Sequence, residues 1–373
     1  MQRKQYMYAT IKELASGFLI GIANIIPGVS GGTFLLILGM YQRVMSAISG
    51  VNFQTVKSIL THCTGILFSR DRKKHFVLFI EYISEKDLFF LFKVGIGVIV
   101  AIVVLSDLML FLLKNQFANT YAFFFGLILV STGISLKLVK KMTIGRVVML
   151  LLGICVTVGV TMAVNPADKV KAKSDHYKIM YDKERLAGVP TDTAMVTKKK
   201  AFTFTGVYTP SEYIVGAFAG ALSISAMVLP GISGSLVLIL VGQYYKVINA
   251  VSSLRTLQLD YLLFLLICAA GMGIGVLFFA RLVTFVFNRF YHGTIAFLTG
   301  LMAGSLYTLW PFKNSIVMDQ FVKGPDGINM IKDVVVRTNI NILPSNVSEA
   351  VFAFLLCAVG AGIMVVMGRY TEK

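Results

Sequence analysis

The chain has 373 residues, of which 56 % are hydrophobic and 14 % charged, and its formal net charge is +17. A soluble domain is usually about 25 % charged, and a nucleic-acid surface would interleave its cations with aromatics. Here the cations sit between apolar runs long enough to cross a bilayer, so a soluble enzyme and a nucleic-acid partner are both excluded in favour of a polytopic integral membrane protein.

In chain order, Arg3 and Lys4 precede an apolar stretch with no small-residue cleavage site, so no signal peptide is read. That stretch contains Asn24, Pro27, Gly28, Ser30, Gly31, Gly32 and Thr33. Proline ends or opens a helix. Pro27 therefore splits the stretch into two arms of about a dozen residues, each too short to span and suited to a re-entrant hairpin. A basic segment follows, read as a loop around Cys63, and then apolar segments at 88–113, 121–139 and 145–164. A polar insertion fills 165–210. A second glycine-proline motif begins at Pro230, followed by apolar segments at 261–287 and 293–311, a polar insertion at 313–347 and a last apolar segment at 348–368. Four cysteines without a CxxC and four scattered histidines give no disulfide framework, metal site or cofactor.

The two motifs are copies. "PGVSGGTFLLILGMYQRVMSAIS" from Pro27 and "PGISGSLVLILVGQYYKVINAVS" from Pro230 agree at ten of 23 positions, from Pro27/Pro230 to Ser49/Ser252, with Arg43 against Lys246. "AFFFGLILVS" at 122–131 also resembles "AFLTGLMAGS" at 296–305. The expected fold is all-α and membrane-embedded, in two repeats (1–164 and 211–373), each a re-entrant hairpin plus three transmembrane helices. Three crossings between the hairpins invert the second repeat. A single kinked crossing in place of each hairpin would instead leave the repeats parallel. Arg72, Lys73, Lys74, Lys137, Lys140, Lys141, Arg146 and Arg369 then share one side, which the positive-inside rule makes cytoplasmic together with both termini.

The motif chemistry is that of an anion cradle. Successive N–H groups at a helix start, supported by small hydroxyls, bind anions without carrying charge. Ser30, Gly31, Gly32 and Thr33 from one tip and Gly231, Ser233, Gly234 and Ser235 from the other are the candidate phosphate ligands, with Asn24 beside the first tip. Arg43, Lys246 and Arg281 are candidates for attracting a head group, and Asp107 is the one acidic residue well inside a span and the candidate for proton coupling. Gly95, Gly97, Gly271, Gly273 and Gly275 are read as helix-packing residues.

"ANIIPGVSGGTFLLILGMY" and "AMVLPGISGSLVLILVGQY" together resemble the PopT-type polyprenyl-phosphate transporters. The resemblance covers both repeats and is weakest in the insertions. It implies a multi-pass protein of the bacterial cytoplasmic membrane that returns undecaprenyl phosphate from the outer to the inner leaflet for cell-envelope synthesis. Its partners would be that lipid and the surrounding membrane lipids, with the oligomeric state left open. The architecture is also similar to undecaprenyl-pyrophosphate phosphatases. Those carry glutamates beside one motif and an arginine in the other, and "PGVSGGT" and "PGISGSL" have neither, so the enzyme is the rival reading, beside a transporter of another anion.

Overall fold

A computed structural model describes residues 2–25, 30–69, 71–163, 208–252, 259–323 and 329–371. Pro27, Gly28 and nearly all of the 165–210 insertion lie outside them. The helices are α1 (Gln2–Ile25), α2 (Gly31–Ile37), α3 (Tyr41–Ser49), α4 (Phe53–Phe68), α5 (Arg72–Glu85), α6 (Leu88–Asn115), α7 (Phe117–Lys137) and α8 (Ile144–Ala163). They continue with α9 (Pro210–Val228), α10 (Gly234–Leu240), α11 (Tyr244–Ser252), α12 (Leu259–Thr308) and α13 (Val347–Thr371). Among the described residues, α6, α7, α8, α9, α12 and α13 are long and apolar enough to cross a membrane. The fold is that of a helical multi-pass membrane protein.

Four features depart from the sequence expectation. The arms before the motifs run 24 residues in α1 and 19 in α9, not a dozen, and α9 is long enough to cross a membrane, so arm length no longer argues for a re-entrant hairpin. The arms after them are broken into α2 and α3, and α10 and α11, at Gly39 and Gly242, whose φ of +66° and +70° favour glycine. The segment around Cys63 is not a loop: α4 and α5 pack on each other as a helical pair.

The 313–347 insertion departs furthest, because it makes the fold not strictly all-α. It forms an antiparallel pair, β1 (Lys313–Lys323) and β2 (Asn329–Asn341), with Ser315 opposite Arg337 and Val317 opposite Val335. Within this polar stretch, β-branched runs such as Val334-Val335-Val336 favour a pleated strand.

Four helix pairs hold the bundle: α1 with α6, α9 with α12, α7 with α13 and α8 with α12. Each is a close approach permitted by glycine. A Cβ at Gly17 would stand 2.1 Å from the Val94 carbonyl oxygen, and one at Gly271 would stand 2.0 Å from that of Ala217. Gly126 and Gly360 do the same between α7 and α13, and Gly153 and Gly300 between α8 and α12. Gly126 aligns with Gly300 in the repeats. Each repeat therefore packs its middle helix on the last helix of the other. Gly97, Gly271 and Gly275 are packing glycines as expected, whereas Gly95 and Gly273 face open space.

α12 is two helices joined at Phe290, whose φ/ψ of −133°/49° interrupts the ladder. Gly275, before the break, lies beside Ser225, and Leu301, after it, packs on Gly231. Both flank the second motif, so the chain reverses direction at the break, and the expected segments 261–287 and 293–311 appear as its two limbs.

Candidate functional site

The second motif is approached from the first by direct contact. The Ser30 hydroxyl lies 2.9 Å from both the Met227 and Leu229 carbonyl oxygens. The Gly231 N–H donates to Thr33 Oγ1 at 3.1 Å. A Cβ at Gly32 would stand 2.1 Å from the Val228 carbonyl oxygen, so the two tips touch backbone to backbone. Gly231 has φ +80° and faces the Leu301 carbonyl, which makes glycine the residue that fits this tip.

At the first tip the donors are engaged internally. Ser30 caps α2: its Oγ accepts the Gly32 N–H at 3.2 Å, and its carbonyl accepts the Thr33 N–H at 2.9 Å. Asn24 Oδ1 accepts the Gly31 N–H at 3.1 Å. Ser30 and Thr33 are buried. The second tip differs. Ser233, the residue at the cap position of α10, makes no cap hydrogen bond; its Oγ lies 3.0 Å from Ser235 Oγ, and both serines are half-buried. Ser223 donates to the Gly234 carbonyl at 3.0 Å. Met227, which stands where Asn24 stands in the first copy, contributes its carbonyl to Ser30 instead of a side-chain acceptor.

An acid–base pair joins the helices on either side of each motif. Arg43 in α3 meets Glu13 in α1 at 3.1 Å and holds Asp87 through two bonds of 2.6 and 2.7 Å. Its guanidinium lies 3.7 Å over the Phe90 ring, and its hydrogen bond to Asp87 is the largest of the influences that raise its pKa. Lys93 joins the cluster at 3.0 Å from Glu13. In the second repeat Lys246 in α11 meets Glu212 in α9 at 2.8 Å. Arg43 and Lys246, the candidates for head-group attraction, both have their charges engaged. Sequence reasoning missed Glu13, Asp87 and Glu212 as partners. Glu13 lies 14 residues before Pro27 and Glu212 lies 18 before Pro230, one helical turn out of register, so the gapless alignment does not superpose them.

The two pairs lie at opposite ends of the first limb of α12. α3 reaches its late turns, with Arg281 Nη2 donating to the Val51 carbonyl at 3.1 Å and Thr284 3.4 Å from Ser49. α11 packs near its first turns, where Ala250 and Val247 cluster with Phe264 and Tyr208. Phe264 and Thr284 are 20 residues apart, about 30 Å along a helix. Arg281 therefore lies toward the Arg43 pair, while Asp107 lies exposed on α6, outside the contact between the tips.

Chemically, the meeting of the tips offers neutral donors. Among the described residues, the Ser30 hydroxyl meets backbone carbonyls and the Gly32 N–H, with no carboxylate or imidazole as a base. Such a centre suits binding an anion better than making a nucleophile.

A family model described as "VCA0040-like: Undecaprenyl phosphate translocase-like" matches residues 20–325. The chain is similar to the polyprenyl-phosphate transporter of Vibrio cholerae serotype O1 (strain ATCC 39315 / El Tor Inaba N16961), with 27 % identity over 365 residues and 96 % of each chain covered. It is similar to the polyprenyl-phosphate transporter of Staphylococcus aureus (strain NCTC 8325 / PS 47), with 27 % identity over 310 residues, 82 % of this chain and 88 % of the relative. No solved structure matches the chain.

Proposed function

The chain belongs to the undecaprenyl phosphate translocase-like family, and we propose that its facing motifs carry the phosphate head of a polyprenyl phosphate from the outer to the inner leaflet of the bacterial cytoplasmic membrane. It is a transporter of polyprenyl phosphate rather than an enzyme, the function its curated relatives are named for. The observation that carries the site is the contact of Ser30 and Thr33 with Leu229 and Gly231, two tips meeting between mouths about 30 Å apart. That distance is about the thickness of a bilayer core. It supports re-entrant hairpins in inverted repeats, entering from opposite faces and meeting near the midplane.

The lipid makes the geometry useful. A polyprenyl tail stays in hydrocarbon while only the head needs a polar path, since a bare phosphate there is prohibitive. With the tips in contact, the hydroxyls and N–H groups of Ser30, Gly31, Gly32, Thr33 and Gly231 are satisfied by protein and the path is closed. Parting the tips releases the Ser30 hydroxyl and the Gly231 N–H, the two donors that bridge them, toward phosphate oxygens, with Asn24, Ser233, Gly234 and Ser235 around them. Rocking one repeat against the other alternates the exposure of the site. The mouth pairs Arg43–Glu13 and Lys246–Glu212 open in turn, each cation then being released to the arriving head, with Arg281 beside the first. The clustering of Arg72, Lys73, Lys74, Lys137, Lys140, Lys141 and Arg146 supports the Arg43 mouth as cytoplasmic, with both termini on that side. Asp107 is the candidate for coupling to protons.

The test is a leaflet-resolved assay of polyprenyl phosphate in proteoliposomes, with and without a proton gradient. Inward movement that Ser30→Leu abolishes is expected. Normal movement in that variant, with the protein inserted, overturns the site; release of inorganic phosphate from a polyprenyl pyrophosphate restores the enzyme reading.

A further inference from the structure

Away from the motifs, at the end of the bundle that bears the strand pair, two cavities adjoin. The first, of about 440 Å³, is polar and lies between the α6–α7 junction, the base of β1–β2 and the start of α13. Lys313 and Arg337 line it, with Asn119, Ser315 and Ser345. The second, of about 380 Å³, is apolar and runs along α6, α7 and α13 past Met109, Leu112, Phe123, Phe124 and Leu356. Gln116 and Asn119 line both, so the polar and apolar cavities adjoin.

The cations are held in place but not neutralised. Lys313 Nζ donates to the Tyr307 carbonyl at 3.0 Å and to Asn341 Oδ1, both neutral acceptors. The Arg337 guanidinium lies 4.0 Å over the Phe117 ring, which orients it without cancelling its charge. Among the described residues neither forms an ion pair. Lys313 is half-buried, and burial lowers its pKa, whereas Arg337 is exposed at the rim of the cavity. One carboxylate, Glu349 in the first turn of α13, lines the same cavity. Two cations and one carboxylate leave a net charge of +1, which matches a phosphate monoester better than the more highly charged pyrophosphate.

We propose that these adjoining cavities form a second, peripheral site that captures a lipid phosphate monoester, its head between Lys313 and Arg337 and its chain along α6, α7 and α13. An amphiphile is the occupant because the charged and apolar halves share a wall; a free phosphate uses only one of them. The site stands at the same end as the Lys246 mouth, so it would load the path from that face. The directional role rests on the transport reading above, while the binding itself does not.

The experiment uses the full chain in proteoliposomes and a polyprenyl monophosphate with a photoreactive group on its chain. Label is expected on 109–124 and around Leu356. Lys313→Gln with Arg337→Gln should lower labelling at sub-saturating probe about tenfold and raise the half-saturating concentration for transport, with the saturated rate kept. Leu356→Trp fills the apolar half from a half-exposed position and should lower labelling without touching a charge. Unlabelled polyprenyl phosphate should compete, whereas polyprenol and inorganic phosphate should not. Groove labelling that neither variant changes, or that polyprenol competes equally, overturns the site. Wild-type protein that labels in the groove but moves no lipid keeps the site and sinks the transport reading; transport with an unlabelled groove does the reverse.

Discussion

Glu13 and Arg43 are 30 residues apart in the chain and 3.1 Å apart in space, with the first glycine-proline motif between them. Lys246 and Glu212 repeat the relationship at 2.8 Å around the second motif. Each pair thus joins the helices on either side of a motif, the arrangement that the proposed re-entrant hairpins require. Bridging the first mouth with a bifunctional thiol reagent in a Glu13→Cys, Arg43→Cys variant should stop transport. Reducing the bridge should restore it. Undiminished transport by the bridged protein would remove this mouth from the cycle.

Opposite mouths predict opposite accessibility. Single cysteines at Gln42 and Ile248 should react with an impermeant thiol reagent from different sides of the membrane. Labelling of both from one side excludes inversion.

Ser30 couples the tips through the Met227 and Leu229 carbonyls, and Thr33 through the Gly231 N–H. Ser30→Ala should lower stability by about 1–3 kcal/mol, because buried acceptors lose their donor. Thr33→Val should act similarly by leaving the Gly231 N–H without its acceptor. Thermal unfolding in detergent reads both, and an unchanged melting temperature contradicts the contact.

Neighbouring glycines of α12 should separate packing from mere exposure. Gly271→Ala drives a methyl into the Ala217 carbonyl, whereas Gly273 faces open space. The first substitution should lower the yield of folded protein sharply, and the second should leave it within about 0.5 kcal/mol of the parent. Equal behaviour would mean α9 and α12 do not pack as described.

Lys313 gives a pH dependence. Burial lowers its pKa from 10.5 to about 8 in the folded protein. Between these values the unfolded chain binds more protons, so the folding stability contributed by this group rises as pH increases from about 8 to 10.5. Below pH 8 the full cost of burying the charge is present. Lys313→Met should raise stability at pH 7 and flatten that slope in denaturant titrations; a slope unchanged by the substitution would refute the shift.

Much of this was legible beforehand. The apolar segments at 88–113, 121–139, 145–164 and 348–368 and the duplicated motif follow from local composition, whereas the sequence suggests only a short arm where a span-length helix precedes Pro230. Gly97 and Gly271 were legible as packing residues from their spacing. The strand pair was not, because the charges in 313–347 masked the β-branched runs that pair across it. That Arg43 and Lys246 are already paired, with Glu13, Asp87 and Glu212, was not legible.

By itself the sequence determined a duplicated, membrane-spanning chain whose helices break at proline and glycine, since hydropathy, helix ends and left-handed turns depend on residues close in the chain. Only the tertiary structure decided which donors are engaged and by whom. Ser30 meets carbonyls about 200 residues away, and Glu13 meets Arg43 across a whole hairpin. Such pairings depend on helix phase and depth, where one turn of offset, as between Glu13 and Glu212, hides a shared role from any alignment.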